Sequence, residues 1–219
     1  MQWRSAGEVK WLEARLPGSV AVFSTRSCGS AKESHIPLAT ALEISPDLIV
    51  SGHQAHGAEL AFHEVAVAGI PDVDGHVITK PGPVGLVYTA DCLPVAVAGP
   101  GGVAMLHCGW RGLAAGIVGC GAKAVGATHA VIGPGIGPCC YEVRDDVLDA
   151  FAGLGPGVAS GRMLDLPEVA RRLLRETGVR EIESATLCTC CEEELFFSHR
   201  RDAGPGRQAG LAWIEAGGR

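Results

Sequence analysis

No stretch of this 219-residue chain approaches the roughly 18 uninterrupted apolar residues that a membrane-spanning helix needs, so a helical membrane span is not expected within it. An excess of positive charge is missing too. Eighteen Lys and Arg against 24 Asp and Glu leave a formal net charge of −6, and the pI is near 5.7. That balance argues against a partner made of nucleic acid or anionic lipid, while a local basic site for a small phosphate stays open. Internal repeats, low-complexity segments and linkers are absent. With 47% hydrophobic and 19% charged residues and a mean hydropathy of +0.22, long disorder is excluded as well. The opening residues, Met1-Gln2-Trp3-Arg4-Ser5, lack the charged-then-apolar build of a signal peptide. Nine cysteines without such a signal read as free thiols of a cytoplasmic protein, some of them candidate metal ligands, and not as a disulfide framework. HExxH, GxSxG, GxxxxGK and the His-x-Glu…Pro-Cys-x-x-Cys signature are all missing, so no familiar short motif names a chemistry.

What the chain does have is glycine and proline, 31 and 13 of them, spaced between short apolar runs. Such spacing marks turns, and the length suits one domain over residues 1–219 with a real core. Strands are expected at 20–23, 48–50, 59–68, 75–79, 84–89, 93–98, 103–106, 185–188 and 208–214. The runs 84–89, 93–98 and 103–106 are near-continuously apolar and Val-rich, as in strands buried on both faces. Gly99-Pro100-Gly101-Gly102 should join two of them as a hairpin. Helices are expected at 112–125, 145–152 and 166–177, the last with Pro167 in its first turn and Gly178 as its stop. Hairpins mixed with crossovers predict an α+β fold of mixed sheets. Gly133-Pro134-Gly135-Ile136-Gly137 lacks a following amphipathic helix and reads as a structural turn rather than a dinucleotide loop.

Three chemically active residues follow expected strands: His56 beyond 48–50, Cys92 beyond 84–89, and His107 beyond 103–106. If the strands pair, these ends converge, and His-Cys-His is a competent set for zinc with one position open. An open position is what metal-assisted catalysis requires. Spacing alone leaves buried Cys and packed His as the alternative. Gly109-Trp110-Arg111-Gly112 opens the expected helix at 112–125, whose free N–H groups would hold an anion beside the metal, and Arg26 would add a bidentate phosphate contact. For both arginines, solvated surface charge is the competing reading.

Three longer motifs carry a resemblance. They are Thr89-Ala90-Asp91-Cys92-Leu93-Pro94-Val95, His107-Cys108-Gly109-Trp110-Arg111-Gly112-Leu113-Ala114-Ala115-Gly116, and Ile132-Gly133-Pro134-Gly135-Ile136-Gly137-Pro138-Cys139-Cys140-Tyr141-Glu142-Val143. With Phe23-Ser24-Thr25-Arg26, Gln54-Ala55-His56-Gly57, Cys188-Thr189-Cys190-Cys191, Phe196-Phe197-Ser198-His199-Arg200-Arg201-Asp202 and Gly206-Arg207-Gln208, the chain resembles the YfiH-like family over nearly its whole length. That family is also called the laccase-domain or multicopper polyphenol oxidoreductase family. The resemblance implies a layered α/β/β/α sandwich, as in cysteine hydrolase-like toxin domains, and a zinc site on His56, Cys92 and His107. It also implies purine nucleoside phosphorylase activity on adenosine, inosine and methylthioadenosine, with adenosine deamination beside it, and for some bacterial members editing of peptidoglycan precursors. Residues 27–51 are shorter than the family's segment, which predicts a pocket more open on that side, and His199 stands where an aromatic is usual.

The implied activities differ in what they demand. A multicopper oxidase needs about ten histidines in paired His-x-His motifs; this chain has eight His and no such pair, although one His-Cys-His site can take copper. Phosphorolysis, with phosphate attacking C1′ of a purine nucleoside, suits a metal beside an anion site. Deamination would use a metal-activated water at C6 in the same cavity. A cysteine amidase with Cys92 as nucleophile and His107 as base is the rival from another class, and a non-catalytic metal-binding protein is a third. Of the remaining residues, Cys139 and Cys140 are expected as structural thiols near the pocket, and Cys188, Cys190 and Cys191 as strand-core thiols, with a second metal on that dense cluster as the competing reading although its spacing is not that of a zinc knuckle. His63, His76, His129 and Met105 are expected in packing or surface roles, and His53 near the pocket. Arg200, Arg201 and Asp202 are expected in a structural Arg–Asp network.

Overall fold

The structure is a computed structural model and describes residues 1–67, 69 and 72–217. In chain order the strands and helices are β1 (Gln2–Ala6), β2 (Val9–Leu16), β3 (Ser19–Ser24), α1 (Ile36–Ala41), β4 (Ile49–Val50), β5 (Leu60–His63), β6 (Gly75–Ile78), β7 (Val84–Thr89), β8 (Leu93–Gly99) and β9 (Gly102–Cys108). There follow α2 (Trp110–Ala114), α3 (Ile117–Val125), β10 (His129–Ile132), α4 (Asp145–Phe151), β11 (Ala159–Ser160), β12 (Met163–Leu164), α5 (Leu166–Glu176), β13 (Glu181–Ser184), α6 (His199–Asp202) and β14 (Gln208–Ile214). Two six-stranded sheets form, ordered β1-β2-β3-β14-β7-β4 and β13-β10-β8-β9-β6-β5. Both mix parallel and antiparallel pairs: β4 runs parallel to β7, β5 to β6 and β13 to β10.

Three apolar layers hold the sheets. Leu12, Ala21, Phe23 and Ala212 of the first sheet meet Ile78, Ala96, Ala98, Met105 and Val131 of the second in a shared core. The outer face of the second sheet, with Val77, Leu93, Val95 and Leu106, is covered by α2, α3, α4 and α5. The outer face of the first, with Val20, Val22, Leu86 and Leu211, is covered by α1 and the segment around Cys28 and Ala31. This is the expected α/β/β/α arrangement. It explains why β7, β8 and β9 are apolar almost throughout, because both faces of each are covered. The β8–β9 hairpin closes with Gly99 opposite Gly102, as expected. A Cβ on Gly102 would lie 2.1 Å from the Ile78 carbonyl oxygen, and its φ of +126° is open only to glycine. Helix α5 begins on the Asp165 carboxylate, which accepts the Glu168 N–H at 2.9 Å, with Pro167 in the first turn and Gly178 at φ +89° after the end.

Several expectations need correction. The helix foreseen at 112–125 is two helices, because Gly116 turns left-handed at φ +88° between α2 and α3. The strand at 59–68 contracts to β5, and residue 68 lies outside the described residues. The strand at 185–188 is displaced to β13. Ala185 and Leu187 instead seal one end of the shared core, and Cys188 makes only an isolated bridge to Gly135. The β1–β2 hairpin was not foreseen. All five β1 residues are exposed, which leaves no apolar alternation to read. Among the described residues, no helix is long and apolar enough to cross a membrane.

Candidate active site

The chain crosses from the first sheet to the second at one end of the sandwich, through residues 51–59 after β4 and residues 90–92 after β7. His56 sits on the first crossing, Cys92 on the second, and His107 near the end of β9. One donor atom from each of the three lies within 4.8 Å of the others, and the two imidazoles meet edge to face with centroids 4.8 Å apart. The strand-end convergence expected from sequence is therefore present in space.

One residue that sequence reasoning missed organises this cluster. Asp74, buried just ahead of β6, accepts the backbone N–H of Ala55, His56 and Gly57 at 3.1, 3.0 and 2.7 Å. Its Oδ1 also meets Nδ1 of His107 at 2.7 Å, which leaves Nε2 as the free nitrogen of that ring. Four partners on one buried carboxylate hold His56 at φ +62°, an uncommon backbone state for a residue with a side chain. Asp91, before Cys92, is likewise left-handed at φ +87°. It is fixed by Thr189 Oγ1 on Oδ1 (2.7 Å) and by the Arg200 N–H on Oδ2 (2.6 Å). Gln54 completes the frame. Its amide side chain accepts the Tyr88 N–H and donates to the Tyr88 carbonyl, at 2.7 and 2.8 Å, splinting the loop to β7.

The electrostatics follow from this packing. Burial pushes the Cys92 thiol upward, but hydrogen bonding and charge from His107 and His56 outweigh it and bring the group down to about 6. Burial lowers His107, yet Asp74 and Cys92 together raise it to about 9. Asp74 stays below the usual carboxylate range: burial opposes ionisation, but His107 and the loop N–H groups favour the carboxylate more strongly.

Above the cluster opens a cavity of about 470 Å³. Gly109, Trp110 and Arg111 line it, as expected; Gly112 does not, and sits behind with its Cα close to the Gly57 carbonyl. The anion site expected at a long helix start is weakened, since α2 has only five residues and little dipole. Arg26 is not on the cavity wall. Its guanidinium donates to Asp202 at 3.3 Å and to the Phe196 carbonyl at 3.2 Å, and it stacks on Phe197. Cationic lining comes instead from Lys32, Arg111, Arg200 and Arg207. The expected Arg–Asp network divides: Arg201 grips Asp202 through two 2.7 Å hydrogen bonds, while Arg200 reaches the cavity. His53 and His199 also line it, with Tyr88 and Tyr141. The missed signals were an acidic residue ahead of an apolar strand, for Asp74, an isolated basic residue in a turn, for Lys32, and the motif Gly206-Arg207-Gln208, to which no role was given, for Arg207.

A mixed two-sheet sandwich with a His-Cys-His cluster at the sheet crossing, under a cationic cavity, defines a class of protein with a metal-competent pocket where its two sheets meet. The family model described as "Multi-copper polyphenol oxidoreductase laccase" matches residues 28–215, and the chain belongs to that family. Among its relatives, the purine nucleoside phosphorylase YfiH of Escherichia coli (strain K12) is 38% identical over 174 residues, covering 74% of this chain and 72% of that protein. The purine nucleoside phosphorylase SCO2081 of Streptomyces coelicolor is 30% identical over 230 residues, covering 98% and 93%. The crystal structure of YlmD from Geobacillus stearothermophilus superposes with a TM-score of 0.82 at 29% identity, covering 98% of this chain and 99% of that one.

Proposed function

We propose that this chain is a metal-dependent purine nucleoside phosphorylase of the cytoplasm, taking a purine nucleoside such as adenosine, inosine or methylthioadenosine together with phosphate. The observation that carries this reading is one cavity in which a His-Cys-His donor set lies below four cationic side chains, on a protein whose net charge is −6. Positive charge collected against the overall balance suits an anionic substrate. Trp110, Tyr88 and Tyr141 add faces on which a planar base can stack. The names of the relatives support the same activity.

The donor set fits zinc. A tetrahedral ion with nitrogen and sulfur ligands sets donors roughly 3.3–3.8 Å apart, within the 4.8 Å spread seen, and Asp74 already holds His107 in the tautomer that leaves Nε2 free. When bound at His56, Cys92 and His107, the ion supplies a Lewis acid that polarises a substrate oxygen. The protein's own groups do the rest. Arg111, Arg200, Arg207 and Lys32 hold phosphate so that one of its oxygens bonds to C1′. The C1′–N bond breaks with its electron pair going to the base, which takes up the proton that hydrogen phosphate releases, and the 1-phosphate of the nucleoside's own sugar remains (ribose 1-phosphate from adenosine or inosine).

Product analysis with and without phosphate tests this. Base release should nearly vanish without phosphate, and Arg207→Ala should raise the phosphate KM about tenfold or more, as expected for a lost charge-assisted contact. Adenosine converted to inosine with or without phosphate would make the protein a deaminase. Equal base release without phosphate would reject phosphorolysis.

A second reading rests on a specific observation. Cys92, His107 and the buried Asp74 stand as nucleophile, base and orienting carboxylate, with the thiol at about 6. In metal-free protein this arrangement supports amide hydrolysis, as in editing of peptidoglycan precursors, and alkylation of Cys92 would abolish it. Copper-dependent oxidation of phenols is disfavoured by the donors, two histidines and one cysteine where a trinuclear centre needs paired His-x-His motifs.

A further inference from the structure

Outside the cavity, the turn after Gly137 and the turn that follows β13 bring four thiols together. Sγ atoms of Cys139, Cys140, Cys188 and Cys191 all lie within 4.8 Å of one another. Along the chain their spacing matches no zinc knuckle, which makes structural thiols the first reading and a metal on Cys188, Cys190 and Cys191 the competing one. In space, Cys188 and Cys191 form a C-x-x-C turn, closed by the Cys191 and Glu192 N–H groups on the Cys188 carbonyl at 3.1 and 2.9 Å. We propose that Cys139, Cys140, Cys188 and Cys191 form a second metal site, an all-thiolate tetrahedral site for zinc that is distinct from His56, Cys92 and His107.

Three observations carry it. First, the spacing is right: sulfurs around a tetrahedral zinc at about 2.3 Å stand roughly 3.8 Å apart, and the cluster brackets this, with Cys191 3.4 Å from both Cys139 and Cys140. Second, Cys191 is equidistant from two partners, so the arrangement selects no single disulfide pair, while an ion can use all four sulfurs. Third, the surroundings match those of a thiolate ligand. The Gly137 N–H donates to Cys188 Sγ at 3.2 Å, Arg200 donates to the Cys140 carbonyl, and Arg201 donates to the carbonyls of Thr189 and Cys190. Four thiolates on one Zn²⁺ leave two net negative charges, and two arginines anchored on the same turns offset them. Each ligating thiol releases its proton to solvent on binding.

The site would act as a staple. Thr189, between the ligands Cys188 and Cys191, holds Asp91 beside Cys92, and Tyr141, next to Cys140, lines the cavity. An ion joining the two turns therefore fixes one wall of the active site from outside.

The experiment is a zinc count on the intact protein and on the double variant Cys188→Ser/Cys191→Ser, after equilibration with Zn²⁺ and removal of the excess. The variant should hold one zinc fewer per chain than the wild type. This difference stands whatever His56, Cys92 and His107 bind. Because the variant can fail to fold, wild-type protein is also alkylated with and without Zn²⁺ and mapped by mass spectrometry. Cys139, Cys140, Cys188 and Cys191 should be protected together at least tenfold by zinc and released together by a chelator. Equal zinc in both proteins, alkylation rates that zinc does not change, or a mass two units low from a disulfide among the four would each overturn the site.

Discussion

Asp74 decides more about the active site than any of the three donors, because it positions two of them at once. It holds His107 by Nδ1 and His56 through the loop N–H groups. Asp74→Asn keeps the size but loses the charge and half of the accepting capacity. Metal affinity at His56, Cys92 and His107 should fall about 10–100-fold, the usual cost of losing a carboxylate behind a metal-bound imidazole, read by chelator competition. Unchanged affinity would show that the loop holds itself. Gly109 is the second sensitive position. A Cβ there would stand 2.9 Å from Cys92 Sγ and 3.2 Å from His56 Cδ2, so the two donor side chains themselves would have to shift. Gly109→Ala should therefore cost about 1–3 kcal/mol of stability as overpacking does, and should reduce metal affinity at least tenfold. The three donors were legible in the sequence because each sits at or just beyond the end of an apolar strand. Asp74 was not, since an acidic residue before a strand reads as a solvated turn. Arg26 went astray for a related reason: nothing in the linear chain says that Asp202, 176 residues away, is its partner.

At the scale of elements, the adjoining parallel strands β5 and β6 bury a histidine each. His63 Nε2 and His76 Nδ1 face one another at 3.1 Å, both almost fully buried. Burial lowers His63, and burial with the neighbouring His63 lowers His76 to about 3. A histidine whose folded pKa is depressed stays neutral while the unfolded chain takes up a proton below about 6.5. Stability is therefore intact above that pH and falls as pH drops toward the folded values, by up to about 1.4 kcal/mol per pH unit for each histidine. His107, raised to about 9, pulls the opposite way at the upper end of this range, and Cys92, brought down to about 6, pulls the same way as the buried pair, so the variant and not the pH window assigns the slope. Urea unfolding between pH 7 and 5 should show this slope, and His76→Gln should flatten it; an unchanged slope in the variant would place the titration elsewhere. The strands were readable where burial on both faces made them uniformly apolar, as in β7 to β9. They were unreadable where one sheet edge is exposed, as in β1 and β13.

For the whole molecule, the decisive feature is that the active site belongs to neither sheet alone. His56 and Cys92 lie on the crossings that leave β4 and β7 of the first sheet, while Asp74 and His107 belong to the β6 and β9 side of the second. The donors are in register only if the sheets are docked, and docking rests on the core between them. Phe23 is the largest side chain the first sheet commits to that core. Its ring packs so closely that a Cβ on Gly133 would lie 2.4 Å from Cδ1. Phe23→Ala should destabilise by about 3–5 kcal/mol, transfer and cavity terms together. For a chain of this length that lowers Tm by roughly 6–20 °C. One folding unit over residues 1–219 further requires that the sheets melt together. With Trp110 at the cavity replaced by Phe, fluorescence comes from Trp3, Trp11 and Trp213, all on the first sheet, and should follow the same transition as release of zinc from the crossing, with and without Phe23→Ala. If zinc left in a separate earlier step while the first sheet remained folded, the sheets would be independent units and the shared core would not be what assembles the site.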